Sequence, residues 1–248
     1  MKAIILSAGR GSRLLPLTDD RPKCLLPAGA RTVLGTQVAT LAEAGVRDFV
    51  IVTGFLPHLV EAEVVHLNED IFDGEACIRT LYNPFYKIAD NLASCWMARE
   101  EMREDFIVLN GDTLFELEIA RRVLAGPVSN AVQVTVDIKD GYDSDDMKVS
   151  LHGDRLTAIG KTLLSTESDA ESIGMLRFCG KGCAMFTDQL EAMMRTREGV
   201  ESWYLKAIHA LAKDGAVINT CSIKGMKWAE LDTPEDFENV TNLFGGAD

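Results

Sequence analysis

The chain has 248 residues, 47% of them hydrophobic, and a formal net charge of −13 from 25 Lys and Arg against 38 Asp and Glu. That apolar content supports a packed core and excludes a disordered chain. The acidic balance excludes a general binder of nucleic acid or anionic membranes. Six scattered cysteines without a Cys-x-x-Cys pair exclude a disulfide framework or a cysteine metal centre.

Taken in order, residues 3–6 form a short apolar run that reads as a buried strand, and a loop with Gly9 and Gly11 leaves it. Residues 33–44 carry apolar side chains at helical spacing and stop at Gly45, a helix C-cap. Residues 48–53 read as a second strand, 56–66 as a short helix, 76–81 as a third strand and 92–101 as a helix. A fourth strand, 106–109, ends at Asn110-Gly111-Asp112. This strand–helix alternation predicts an α/β fold, a Rossmann-like, mainly parallel sheet with helices on both faces. Ligands of such sheets sit beyond the carboxyl ends of the strands, where the Gly9 and Asp112 loops both fall. After residue 125 the pattern changes to short strands at 131–138, 148–151, 155–159 and 173–178, broken by turn residues such as Gly141 and Gly153. Helices near 181–196 and 202–214, a stretch at 217–223 and a strand at 227–231 follow. The chain closes on a helix from Pro234, for which Thr233 suits the N-cap. No repeat, low-complexity segment or long linker intervenes, so residues 1–248 read as one domain whose second half is a small β-rich lobe folded back on the first.

The loop after the first strand runs Leu6-Ser-Ala8-Gly9-Arg-Gly11-Ser12-Arg13, with Lys23 ten residues on. Glycines let backbone N–H groups turn inward and approach a polyphosphate closely. Arg13 adds a planar fork for bidentate contact and Lys23 a mobile point charge. Alone, two glycines also fit a plain turn with two solvated cations. No Gly-Lys-Ser/Thr follows and no third glycine completes a dinucleotide fingerprint. The full spacing, Gly-x-Gly-x-Arg-Leu-x-Pro-Leu-Thr-x4-Lys-x-Leu-Leu-Pro, resembles the signature of the nucleotidyltransferases that activate sugar phosphates and small phospho-alcohols. The resemblance implies the nucleotide-diphospho-sugar transferase type of fold, with residues 1–125 as the nucleotide-binding half and 126–248 as the acceptor-binding half. In it Leu6, Ala8, Gly9, Gly11, Ser12, Arg13, Lys23 and Gly111 would line the nucleotide.

Asp112 and Asp232 each follow a strand and precede a helix. A carboxylate so placed can hold Mg²⁺, which takes few protein ligands and keeps waters and phosphate oxygens; it can equally cap a turn. In the resembling family this pair carries the metal, which assigns Mg²⁺ to Asp112 and Asp232. The segment Tyr82-Asn83-Pro-Phe-Tyr86, then Asn91-Leu-Ala-Ser94, departs from the sugar-1-phosphate pattern and resembles the phosphocholine and 2-aminoethylphosphonate cytidylyltransferases. Asn91 and Ser94 would there meet the nucleotide at a helix N-terminus, or else merely cap that helix. Asp143-Ser-Asp145-Asp146-Met-Lys148, Ile159-Gly-Lys161 and Glu171-Ser-Ile-Gly174 extend the resemblance across nearly the whole chain. They imply an acceptor site of Lys148, Lys161, Asp143, Asp145, Glu171 and Trp228, although as single residues the acids also fit a solvated turn.

What the resemblance implies is in-line attack of an acceptor phosphate or phosphonate oxygen on the α-phosphorus of CTP, with Arg13, Lys23 and Asp112 as catalytic residues and pyrophosphate leaving. The expected partners are CTP and a small phospho- or phosphono-alcohol bearing an amine, with no nucleic acid and no membrane; a homodimer stays open. The N-terminal apolar run is too short for a signal peptide or a membrane span, and the chain reads as cytoplasmic. Two alternatives stay open: a sugar-1-phosphate uridylyl- or thymidylyltransferase, and a nucleotide-binding regulatory module without turnover.

Overall fold

A computed structural model of the chain describes residues 1–244. The first half contains β1 (Lys2–Ser7), β2 (Pro27–Ala28), β3 (Arg31–Thr32), α1 (Val33–Glu43), β4 (Asp48–Thr53), α2 (Pro57–Phe72) and β5 (Ile78–Tyr82). It continues with α3 (Asn91–Met97), β6 (Phe106–Asn110), β7 (Thr113–Phe115) and α4 (Leu117–Leu124). The second half contains β8 (Val132–Asp137), β9 (Lys148–His152), β10 (Arg155–Ile159), β11 (Ala170–Phe178) and α5 (Lys181–Met194). Then come α6 (Arg197–Val200), α7 (Leu205–Lys213), β12 (Asn219–Ser222), β13 (Trp228–Glu230) and α8 (Pro234–Phe244).

Nine strands form one mixed α/β sheet in the order β5-β4-β1-β6-β11-β8-β12-β10-β9. The first four run parallel, as the alternation of strands and helices predicts. From β11 onward the sheet departs from the parallel expectation: β11 is antiparallel to both β6 and β8, and β12 returns parallel to β8. The β-rich second half is continuous with this sheet. Its β9–β10 hairpin forms the far end and β9 also pairs with the start of β11.

Strand periodicity sorts the core. Ile4, Val50, Val52, Phe106 and Val108 point to one face, where they meet Leu92, Phe186 and Ile208 of α3, α5 and α7. Their neighbours Ala3, Ile5, Phe49, Ile51, Ile107 and Leu109 point to the other, against α1, α2 and α4. The helix expected at 56–66 extends to Phe72, because Leu67 and Phe72 continue its apolar stripe and Phe72 packs on Phe49 with ring centroids 5.7 Å apart. The helix expected at 92–101 ends at Met97 and tightens into a 3-10 turn at Arg99–Glu101. The strand expected at 173–178 begins at Ala170, where Ala170 and Glu171 pair with Val149 and Lys148.

A third, smaller apolar cluster joins the ends of the chain. Leu14, Leu26, Val33, Leu114, Leu231 and Val240 are buried together, and β13 pairs antiparallel with β7, Trp228 opposite Phe115 and Glu230 opposite Thr113. This two-stranded ribbon brings residue 232 beside residue 112. Beneath it, the buried Gln37 of α1 donates its Nε2 to Asn110 O at 2.8 Å and to Thr113 O at 2.7 Å. Those bonds clamp the turn that carries Asp112. Replacing Gln37 by Leu keeps the volume but strands two carbonyls, at about 1–3 kcal/mol for a buried group left unpaired. Urea unfolding of Gln37→Leu should show a loss of that size; a midpoint indistinguishable from wild type would contradict the clamp.

Candidate active site

Strand register places the loops of the site together. Leu6 lies opposite Asn110, and Leu6 O accepts from Gly111 N at 3.0 Å. The ends of β1 and β6 come so close that a Cβ at Gly111 would lie 2.6 Å from Leu6 O. Gly11 sits at φ 79, the left-handed region that favours glycine, and a Cβ there would meet Lys23 Cβ at 2.9 Å. A Cβ at Gly9 would meet nothing and would project into open space. Leu6, Gly9, Gly11, Lys23, Asn91 and Gly111 line this first chamber, of about 180 Å³.

At its floor Lys23 Nζ lies between two carboxylates. It pairs closely with Asp112 Oδ2 and lies 2.7 Å from Asp232 Oδ1. Arg13 joins from outside, its Nη2 2.8 Å from Asp232 Oδ2 and its Nη1 3.7 Å from Asp145. Asp232 is held by its own loop: Asp232 N and Thr233 N both donate to Asp236 Oδ2, and Asp236 N returns a bond to Thr233 Oγ1. Thr233 thus caps α8 as expected. Burial alone would lower the Lys23 ammonium, but the two carboxylates outweigh it and hold the pKa raised. Burial would raise Asp232, but Lys23, Arg13 and Lys161 bring it below the usual carboxylate range.

A second chamber of about 110 Å³ opens beyond Asp112, lined by Asn110, Lys161, Trp203 and Glu230 among others. A third, wider one of about 580 Å³ lies past Asp232 and is walled by Asp137, Lys139, Glu171 and Trp228. Asp145, Glu230 and Asp232 face both. Burial pushes the Glu230 carboxyl up to about 8, with Asp112, Asp232 and Glu171 adding to the rise and Lys23 opposing it.

Several residues singled out in the sequence stand elsewhere. Lys148 is buried and turned into the acidic loop, where its Nζ donates to Asp143 O at 2.7 Å and to Ser144 O and Asp146 O. It holds that loop and does not face the cleft. Asp143 is spent on the same loop through its backbone, while Asp146 turns inward. Ser94 is buried and accepts from Asn83 Nδ2 at 3.0 Å, so it braces α3 from inside. Asn91 does reach the first chamber, although its Oδ1 accepts from Tyr204 N, and the helix cap is Asp90. Ala8 is buried with its carbonyl on Phe55 N, and Ser12 is exposed outside the chamber. Sequence reading missed Asn110, Lys139, Asp137 and Glu230. A signal existed for Glu230: two residues before Asp232 at the end of a strand, it shares a face with it.

No set of three or more His, Cys, Asp or Glu gathers in metal-binding geometry among the described residues. The protein therefore offers a divalent ion the carboxylate pair and no full cage. Asp112 Oδ1 is buried without a hydrogen-bond partner. A donor set of two carboxylates with a spare buried oxygen fits Mg²⁺, which completes its shell with waters and phosphate oxygens. Among the described residues no helix is long and apolar enough to cross a membrane.

Comparison with known proteins places these features in a family. The nucleotidyl transferase family model matches residues 2–145. The chain is 29% identical over 247 residues to the CMP-5'-(3-aminopropyl)phosphonate synthase of Streptomyces rubellomurinus, covering 95% of this chain and 37% of that one. It is 30% identical over 116 residues to the choline-phosphate cytidylyltransferase of Streptococcus pneumoniae, covering 47% of each. The matches thus span less than half the length of these two relatives. The solved CTP:phosphocholine cytidylyltransferase of Streptococcus pneumoniae superposes with a TM-score of 0.77 at 19% identity over 97% of both chains, which shows a shared fold.

The lysine between two acids sets a pH test. Replacing Lys23 by Met leaves two carboxylates facing one another, at a cost of about 2 kcal/mol, between the values for exposed and buried pairs. Wild type should melt about 4–8 °C above Lys23→Met at pH 7. Asp232 has a depressed pKa in the folded chain, so its contribution is present above the unfolded value of about 3.9 and is lost as pH falls through the folded one. The gap between the two melting curves should therefore close in acid. A gap that is absent at pH 7, or that widens below pH 4, would contradict the pairing.

Proposed function

We propose a Mg²⁺-dependent cytidylyltransferase activity for this chain, which belongs to the nucleotidyl transferase family. The acceptor is a small phosphorylated or phosphonylated amino-alcohol, and the products are the cytidylyl-linked acceptor and pyrophosphate. The observation that carries the reading is the meeting of Lys23 with Asp112 and Asp232 between a glycine-lined chamber and a second chamber that holds Lys161. The choice of cytidine is supported by the two relatives named for cytidylyl products or activity; the fold does not discriminate among bases.

In this reading the triphosphate lies over Gly9 and Gly11; a side chain at Gly9 would project into the open space that phosphate needs, and one at Gly11 would strike Lys23. An acceptor oxygen attacks the α-phosphorus and its lone pair forms the new P–O bond. The opposite bond, from the α-phosphorus to the α–β bridging oxygen, breaks, and pyrophosphate leaves with the electrons of the broken bond. Such transfer needs positioning and charge neutralisation more than a covalent nucleophile. Asp112 and Asp232 would hold Mg²⁺, which would supply neutralisation of charge on phosphate oxygens. Lys23 and Arg13 then have phosphate oxygens to meet in place of the carboxylates. Lys161 forms no ion pair among the described residues and faces the second chamber, ready for the acceptor's anion.

Pyrophosphate release measured across CTP, UTP, dTTP, ATP and GTP, each with amine acceptors and with sugar-1-phosphates, tests the reading. CTP with an amino-alcohol phosphate or phosphonate should give the turnover. Efficient use of a sugar-1-phosphate with UTP or dTTP, and of no amine, would favour the sugar enzyme instead. Under the same conditions Asp112→Asn should stay folded, the change being nearly isosteric, yet lose on the order of 10²-fold or more in rate. Near-wild-type turnover by a folded Asp112→Asn would remove Asp112 from the reaction.

A further inference from the structure

Two tryptophans face the acceptor chambers, and each already carries a cation of the protein's own. Lys139 Nζ lies 5.7 Å from the centroid of the Trp228 ring, and Lys161 Nζ lies 5.0 Å from that of Trp203. Lys139 is fixed from further sides. It forms a close ion pair with Glu171, lies 3.7 Å from Asp146, and donates its backbone N–H to Tyr142 Oη at 3.2 Å. Trp228 is held in turn, its Nε1 donating to Asp137 Oδ2 at 2.9 Å. Tyr204 offers no face, being fully buried with its hydroxyl on Gly174 O.

The two amines an acceptor could carry ask for different walls. A quaternary ammonium has no N–H and is held by ring faces through cation–π attraction. A primary ammonium brings three donors and is held by a carboxylate through charge-assisted hydrogen bonds. Glu230 faces both chambers and makes no side-chain hydrogen bond or ion pair among the described residues. Lys139, by contrast, is neutralised by Glu171 and so makes a poor anion ligand. The cleft thus has an unpartnered Glu230 carboxyl, whose oxygen can accept from an ammonium, and its Trp228 face taken.

We infer that Lys139 is a specificity-determining residue: by covering Trp228 it closes that ring face to quaternary ammonium groups and leaves Glu230 to receive a primary ammonium. The acceptor is then a primary amino-alcohol phosphate or aminoalkylphosphonate. The inference rests on the cytidylyl-transfer reading and goes beyond it in assigning which amine is used and which residue decides.

Phosphoethanolamine and phosphocholine differ only in methylation, so kcat/KM for the two with CTP is the readout, with 2-aminoethylphosphonate alongside. Wild type should favour phosphoethanolamine at least tenfold. Lys139→Met, at a position with 37% of its side chain exposed, should narrow that ratio at least tenfold by lowering the KM for phosphocholine. Lys139→Arg, which keeps a cation over the ring, should restore the wild-type ratio. Glu230→Gln should raise the KM for the primary amines at least tenfold and leave that for phosphocholine nearly unchanged. A wild-type preference for phosphocholine, or a Lys139→Met enzyme that turns over both with an unchanged ratio, would overturn the inference while cytidylyl transfer stands. Turnover of sugar-1-phosphates alone would instead remove the transfer reading, and this inference with it.

Discussion

Leu231 N donates to the carbonyl of Asp112 at 3.0 Å, and the site depends on that register. It continues the β7–β13 ribbon and sets Asp232, 120 positions further along the chain, beside Asp112. Slipping the ribbon by one residue would turn Asp232 to the opposite face. Three things prevent the slip: the small apolar cluster around Leu114 and Leu231, the Asp236 bonds that fix the loop after β13, and Gln37 beneath β7. Lys23 is then delivered between the two acids by a loop whose close packing requires Gly11.

A chain of net charge −13 still gathers cations at one cleft. Arg13, Lys23 and Lys161 converge on a cleft whose walls also carry acids, with Asp112 and Asp232 paired to Lys23 and Glu171 paired to Lys139. A half-buried Lys–Asp pair costs desolvation on both sides, which close geometry only partly returns. Such a cluster is therefore a poor way to gain stability and a good way to keep charge poised for a ligand. Glu230 belongs to the same economy of charge: buried, and with Asp112 and Asp232 beside it, its carboxyl is pushed upward.

Much of this arrangement was legible in the amino-acid order. The alternation of strands and helices predicted the parallel half of the sheet, and the Gly9–Lys23 spacing pointed to a loop that lines the first chamber. The pairing of Asp112 with Asp232 was legible only through family resemblance, because the register that joins them is a tertiary fact. The antiparallel insertion of β11 was not legible at all: strand direction depends on connections that no local pattern records. Lys148 and Ser94 were misread for a related reason. Their residue types suit a ligand, but a buried lysine can spend its donors on backbone carbonyls, and a buried serine on an asparagine. Lys139 went unnoticed because its meaning lies in its partners, Glu171 and Trp228, which are remote in the chain.

A crystal structure with CTP and Mn²⁺ in place of Mg²⁺ tests the central claim most directly, since the anomalous signal of manganese locates the ion without reference to the protein. The account predicts one manganese peak bonded to both Asp112 and Asp232, phosphate oxygens completing its shell, Lys23 Nζ moved from the carboxylates to the phosphates, and the triphosphate over Gly9 and Gly11. A peak away from that carboxylate pair, or Lys23 still bridging the two acids with nucleotide bound, would contradict it.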